Sequence, residues 1–247
     1  MTKNIARLAF GALFFCASAF AQQPGAKDDS ESAHLELAAS YFEAGRPDVA
    51  VEELQKVLAK TPQSSPANNL MGVVYMKAGN LEQAEKYLSA ALATDPQSGN
   101  ARNNYGQLLC KTGRYDAGME SFAKALQAPK FTQIPQTLVN GGICLQQKGD
   151  MPAAEKFLLK ALEQEPFMPA ALYQLAKVYL AMGLLPQAES RLAALHKQSQ
   201  PNAASLLLAR QLALAQGKPD EAQAFAALLA SRFPASAEAQ QISQSHH

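Results

Sequence analysis

The sequence predicts an all-α fold, a right-handed superhelix of about six helical hairpins. Three observations carry that prediction. Gly recurs at positions 45, 79, 113, 149, 183 and 217, with separations of 34, 34, 36, 34 and 34. Five residues after each Gly stands a small residue (Ala50, Ala84, Gly118, Ala154, Ala188 and Ala222), and nine after it Leu54, Leu88, Phe122, Leu158, Leu192 and Ala226. Seventeen after it comes Pro62, Pro96, Pro166 or Pro234, while Pro129 and Pro201 fall one position to either side of that mark.

Each element of the unit has a physical reason. Gly accepts the left-handed backbone that ends the first helix, helix A. The small residue lets the second helix, helix B, approach helix A closely. Pro cannot continue helix B and resets the chain for the next unit. A period of this length held over six units marks a stack of repeats. The composition agrees: Leu and Ala dominate and there is no Trp, which favours helices over sheets.

The middle units carry the pattern most fully. Met71-Gly72 with Tyr75, and Tyr105-Gly106, supply a large-small pair in helix A. This resembles the tetratricopeptide repeat family over about residues 32–235. The last unit departs from it, with Arg210 and Ala213 at the small and aromatic positions of helix A. Ala209, Ala213, Ala222 and Ala226 give that unit a thin core, so it is expected to act as a less stable terminal cap.

The ends read differently. Lys3 and Arg7 precede an apolar or small run over 8–20, and Ala19-Phe20-Ala21 fits a small-x-small cleavage site. Residues 1–21 therefore read as a signal peptide, with the mature chain beginning at Gln22. The run is too short to cross a hydrocarbon core of about 30 Å. Cys16 raises the alternative of lipidation, against which stands the bulky Phe15 before it. Residues 22–31 are polar and aperiodic, a flexible leader, and 236–247 read as a disordered tail.

Lys+Arg is 22 and Asp+Glu 21. That balance gives no reason to expect nucleic acid or an anionic surface as partner. His34, His196, His246 and His247 fall in no metal-ligand spacing, so no metal or cofactor is expected. No strand-borne phosphate loop or nucleophile elbow is present, and paired carboxylates such as Glu52-Glu53 sit on an amphipathic helix as a solvated face. Nothing supports an enzyme. Cys110 and Cys144, the cysteines left after cleavage, lack a Cys-x-x-Cys spacing and so do not read as an oxidoreductase pair. They can bridge in an oxidising compartment or stay as buried thiols.

What remains is a binding groove. The concave face of such a stack is lined mainly by A helices. Ten, six and three residues before each Gly lie on one helical face. Those positions place Asn69, Val73, Met76, Asn103, Gln107, Val139, Ile143 and Tyr173 as candidate contacts for a protein partner. Amides can both donate to and accept from a peptide backbone, and the apolar residues suit a segment of another protein. The competing reading makes Val139 and Ile143 core and the Asn side chains helix caps. The two extra residues of the long third period fall in 128–135, where Phe131 and Ile134 either form a contact loop or plug the gap the insertion makes; the linker carrying Phe131 is taken as a further candidate contact for the partner.

A narrower resemblance spans that insertion. Asn103-Asn104-Tyr105-Gly106-Gln107-Leu108-Leu109-Cys110, a lengthened linker, then Asn140-Gly141-Gly142-Ile143-Cys144 looks like the type IV pilus biogenesis and stability proteins, the PilF/PilW group. The resemblance implies a periplasm-facing, outer-membrane-associated scaffold that supports assembly of the secretin pore. It also implies a Cys110–Cys144 disulfide. The site at Cys16 departs from the lipoproteins of that group. The alternative is a periplasmic adaptor for other envelope or cell-wall proteins, which the repeats alone do not separate from it.

Overall fold

The computed structural model describes residues 29–244, so the expected signal peptide and the final His pair lie outside the described residues. Thirteen helices and no strand occur among them. Six hairpins follow in order: α1 (Asp29–Glu43) with α2 (Pro47–Lys60), α3 (Ser65–Lys77) with α4 (Leu81–Thr94), and α5 (Gly99–Lys111) with α6 (Tyr115–Leu126). Then come α7 (Ile134–Lys148) with α8 (Met151–Gln164), α9 (Pro169–Ala181) with α10 (Leu185–Gln198), and α11 (Ala203–Ala215) with α12 (Pro219–Arg232). Each A helix also touches the next A helix, so the hairpins stack in chain order.

All six turn glycines adopt φ between 71° and 91°, the region where a Cβ is penalised. At Gly79 the turn N–H donates to the Met76 carbonyl and the next N–H, of Asn80, to that of Tyr75, which satisfies carbonyls left open at a helix end. Side-chain caps then start several helices: Ser64 on α3, Asn80 on α4, Ser98 on α5, Asp150 on α8 and Asn202 on α11.

Close approach of A to B explains the small register. A Cβ built on Gly72 would meet Leu88 Cγ at 2.6 Å, and one on Gly142 would meet Leu158 Cγ at 2.7 Å. Ala38 and Ala176 fill the same register in the first and fifth units and are buried. In the last unit Ala213 replaces the ring that Tyr41, Tyr75 and Tyr179 supply elsewhere. A hollow of about 160 Å³ lined by Ala209, Leu212, Ala213 and Phe225 opens beside it.

Both ends differ from the sequence reading. The expected leader ends early: α1 already begins at Asp29, and Ser64 donates to Glu31 at 2.6 Å. The expected tail holds an eight-residue helix, α13 (Ala237–Gln244), which seats Ile242 against α11 and α12. The last hairpin would otherwise leave Leu206 and Leu229 uncovered, and α13, started by Ser236 accepting from the Ala239 N–H, seats Ile242 there. No described helix is long and apolar enough to cross a membrane.

Candidate partner-binding groove

The groove face is built from the A helices α3, α5, α7 and α9. Val73, Gln107, Ile143 and Lys177, six residues before their turn glycines, stand half-buried along it. At its middle is a hollow of about 220 Å³ between α5 and α7, lined by Gln107, Lys111, Asn140, Ile143 and Gln147 over the two cysteines. Those cysteines are joined in a disulfide, with Cα atoms 5.4 Å apart. It ties two neighbouring A helices across the longest inter-hairpin linker.

Three residues expected to contact a partner do not face the groove. Val139 (1% exposed) and Met76 (7%) belong to the core, and Asn103 (3%) is buried in the seam between α5 and α7. Stacking closes that side of each A helix. Asn103 is instead the hub of an amide ladder. Its Oδ1 accepts from Asn140 Nδ2 at 3.0 Å and Thr137 Oγ1 at 3.1 Å, and its Nδ2 donates to Asn104 Oδ1 at 3.3 Å. Asn104 Nδ2 donates in turn to Asn69 Oδ1 at 2.9 Å, and Gln107 Nε2 donates to Asn104 Oδ1. The ladder joins three A helices, so these amides are partly spent on holding the groove's shape. Asn68 is a cap, donating to the Pro62 and Ser64 carbonyls.

Because Asn103 is the buried hub of this ladder, Asn103→Ala is expected to cost about 1 kcal/mol, the net worth of the hydrogen bond from Asn140, while Thr137 keeps the Gln133 carbonyl as acceptor. Urea unfolding would read it as a lower midpoint at unchanged slope. An unaltered midpoint would show that the ladder contributes nothing.

Tyr173 stands at the far end of the groove, with Lys177 Nζ 5.8 Å from its ring centre. Burial, and secondarily Glu238 on α13, raises its phenol above the ordinary tyrosine range. Phe131 does not project as a contact. A Cβ on Gly99 would meet its Cδ2 at 2.4 Å, so the ring covers the start of α5 and plugs the inserted linker. Ile134 is exposed, as is Phe167 between α8 and α9 (66%). Phe167 went unnoticed in the sequence because no pattern marks an apolar residue at a position where the corresponding loops carry Gln63 and Gln97. Lys111, Asn140 and Gln147 also went unassigned to the groove, although counting four residues on from Gln107 and Ile143 reaches Lys111 and Gln147.

Three family models, each described as a tetratricopeptide repeat, match residues 32–64, 69–131 and 145–210. The chain is a tetratricopeptide repeat protein. Among solved structures this repeat protein resembles PilW, a widely conserved type IV pilus biogenesis factor. The two are 27% identical with a TM-score of 0.78, over 86% of this chain and 97% of that one. Its fold is shared by Pseudomonas aeruginosa pilF (24% identity, TM-score 0.72, 88% of this chain and 98% of that one). A thermophilic tetratricopeptide protein of Thermus thermophilus shares it too (21%, 0.62, 75% and 98%). No curated protein matches. The matched family models are repeats, and none is of a catalytic family.

Proposed function

We propose that this tetratricopeptide repeat protein is a periplasmic scaffold of type IV pilus biogenesis. It holds a segment of a pilus-machine subunit, the outer-membrane secretin, in the groove of units two to five and so supports secretin assembly. It acts by binding, not by catalysis, in association with the outer membrane. The observation that carries this reading is the likeness to PilW over nearly the whole of that chain. The hollow over the disulfide supplies a place of contact, with half-buried apolar and amide groups side by side.

Gln107→Trp tests it. An indole at Gln107 would fill much of the hollow above the disulfide and give up only the hydrogen bond to Asn104 at the edge of the amide ladder. In cells making only this variant, secretin multimers and surface pili are expected to fall to near background, while the purified protein keeps the native helical signal and melting temperature. Normal pili made by cells carrying a stable variant would refute the groove as the working surface.

A further inference from the structure

The net charge of +1 hides a strict segregation. Asp and Glu make up 21 of 247 residues, yet α3, α5, α7, α9 and α11 hold none at all. Every B helix carries at least one: Asp48, Glu82, Asp116, Glu155, Glu189 and Asp220 are examples in chain order. Among the A helices only α1 is acidic, with Glu31, Glu36 and Glu43; α3, α5, α7 and α9, which line the groove, offer cations without carboxylates.

Three of those cations face the groove. Lys111 lines the central hollow. Lys177 stands over Tyr173, and Lys77 Nζ lies 5.0 Å from the centre of the Phe42 ring. Among the described residues none of the three is in an ion pair. The cations that do pair (Lys56, Arg114, Lys124, Lys148 and Lys218) are all matched to carboxylates on B helices: Glu53, Glu85, Glu120, Asp116 and Glu221. The unpaired lysines sit in a hollowed face between walls of low polarisability, which concentrates their field toward anything entering it.

We infer that the groove's occupant is an acidic segment of the partner protein, whose Asp or Glu side chains pair with Lys77, Lys111 and Lys177. The inference rests on the groove reading above and adds the chemistry of the ligand. The amides of Asn69, Gln107 and Asn140 along the same face suit the backbone of such a segment, and Val73 and Ile143 its apolar residues. These favour a peptide over a nucleic acid, which would also seek phosphate-matched arginine and stacked aromatic faces.

The test uses the full chain and a fluorescent peptide of alternating Glu and Leu, acetylated and amidated so that no terminal carboxylate contributes. Its Gln counterpart and a short single-stranded DNA serve as comparisons. The Glu peptide is expected to bind, to weaken at least about tenfold between roughly 50 mM and 0.5 M salt, and to lose about tenfold or more in the triple variant K77E/K111E/K177E. The triple variant K86E/K156E/K160E, which makes the same charge change on α4 and α8, is expected to bind as wild type. Equal binding of the Gln peptide, tighter binding of the DNA, no binding of the Glu peptide, or full binding by K77E/K111E/K177E would each overturn the inference. Pili in cells separate this from the groove reading. If Gln107→Trp abolishes pili and K77E/K111E/K177E does not, the groove stands and its acidic occupant falls. If neither variant affects pili, the groove itself falls.

Discussion

Replacing both Cys110 and Cys144 with Ala is expected to destabilise the protein by about 3–4 kcal/mol. The bridge closes a sequence separation of 34 residues, and the chain-entropy model puts a loop of that length in this range. Three structural facts argue that the effect is near full strength. The loop contains the long linker between α6 and α7, where the start of α7 has no side-chain cap. Phe131 of that linker packs on Gly99, which has no side chain to hold it. Phe122 forms a small cluster with the two cysteines, with Tyr115 and Met119 packed against it. Ala is the right replacement, because both sites are buried and Ser would strand a hydroxyl there. In a chain of this size the loss corresponds to a melting temperature lower by on the order of 10 °C. Because repeat arrays propagate order through neighbouring contacts, the variant is also expected to melt in two steps, divided near the linker. Reducing agent should reproduce both effects in the wild-type protein and leave the variant unchanged. A guanidinium midpoint that reduction does not move would contradict the argument.

How far the groove was legible depends on helical phase. The repeat itself could be read because each signal has one dominant physical meaning: six glycines in register demand six left-handed turns, and the structure has them. The face was harder. Taking the residue six before the turn as reference, those at ten and three before it lie about 40° and 60° round to one side, at 100° per residue. Those at two and nine before it lie as far round to the other side. The pattern shows a face of mixed character but not which flank the next hairpin covers. Stacking buries the first flank, which is why Asn103, Met76 and Val139 became seam and core. The second flank stays open, which is why Lys111, Gln147 and Asn140 line the hollow. Phe131 needed coordinates for a similar reason, since contact and plug differ only in whether Gly99 lies beneath it. The helix α13 was hard to see because its own signals are slight, a Ser236 cap and the single apolar Ile242, and the face of α11 and α12 on which it docks is not legible in its residues. The absence of acids from every A helix after the first was present in the sequence throughout, but only the repeat register makes it visible, and a whole-chain charge count averages it away.

That register also makes sense of a glycine whose substitution should change sign with its background. Gly118 closes the first turn of α6, where Ala50, Ala84, Ala154, Ala188 and Ala222 stand in the other units, all buried. A glycine there costs up to about 1 kcal/mol relative to alanine, and it sits in no turn that would require one. The reason is the disulfide. A Cβ on Gly118 would lie 2.4 Å from Cys110 Sγ, and that sulfur cannot swing aside while it is bonded to Cys144. In the wild-type background Gly118→Ala is therefore expected to destabilise by about 1–3 kcal/mol through overpacking. In C110A/C144A the sulfur is gone and position 118 resembles its five counterparts, so the same substitution should stabilise by about 0.5–1 kcal/mol through helix propensity. Urea midpoints for the four proteins of this cycle give the coupling directly. Alanine that lowers the midpoint equally in both backgrounds would mean that the approach of α5 to α6 through Gly106, whose carbonyl oxygen lies 3.1 Å from the same built Cβ, and not the sulfur, forbids a side chain at this position.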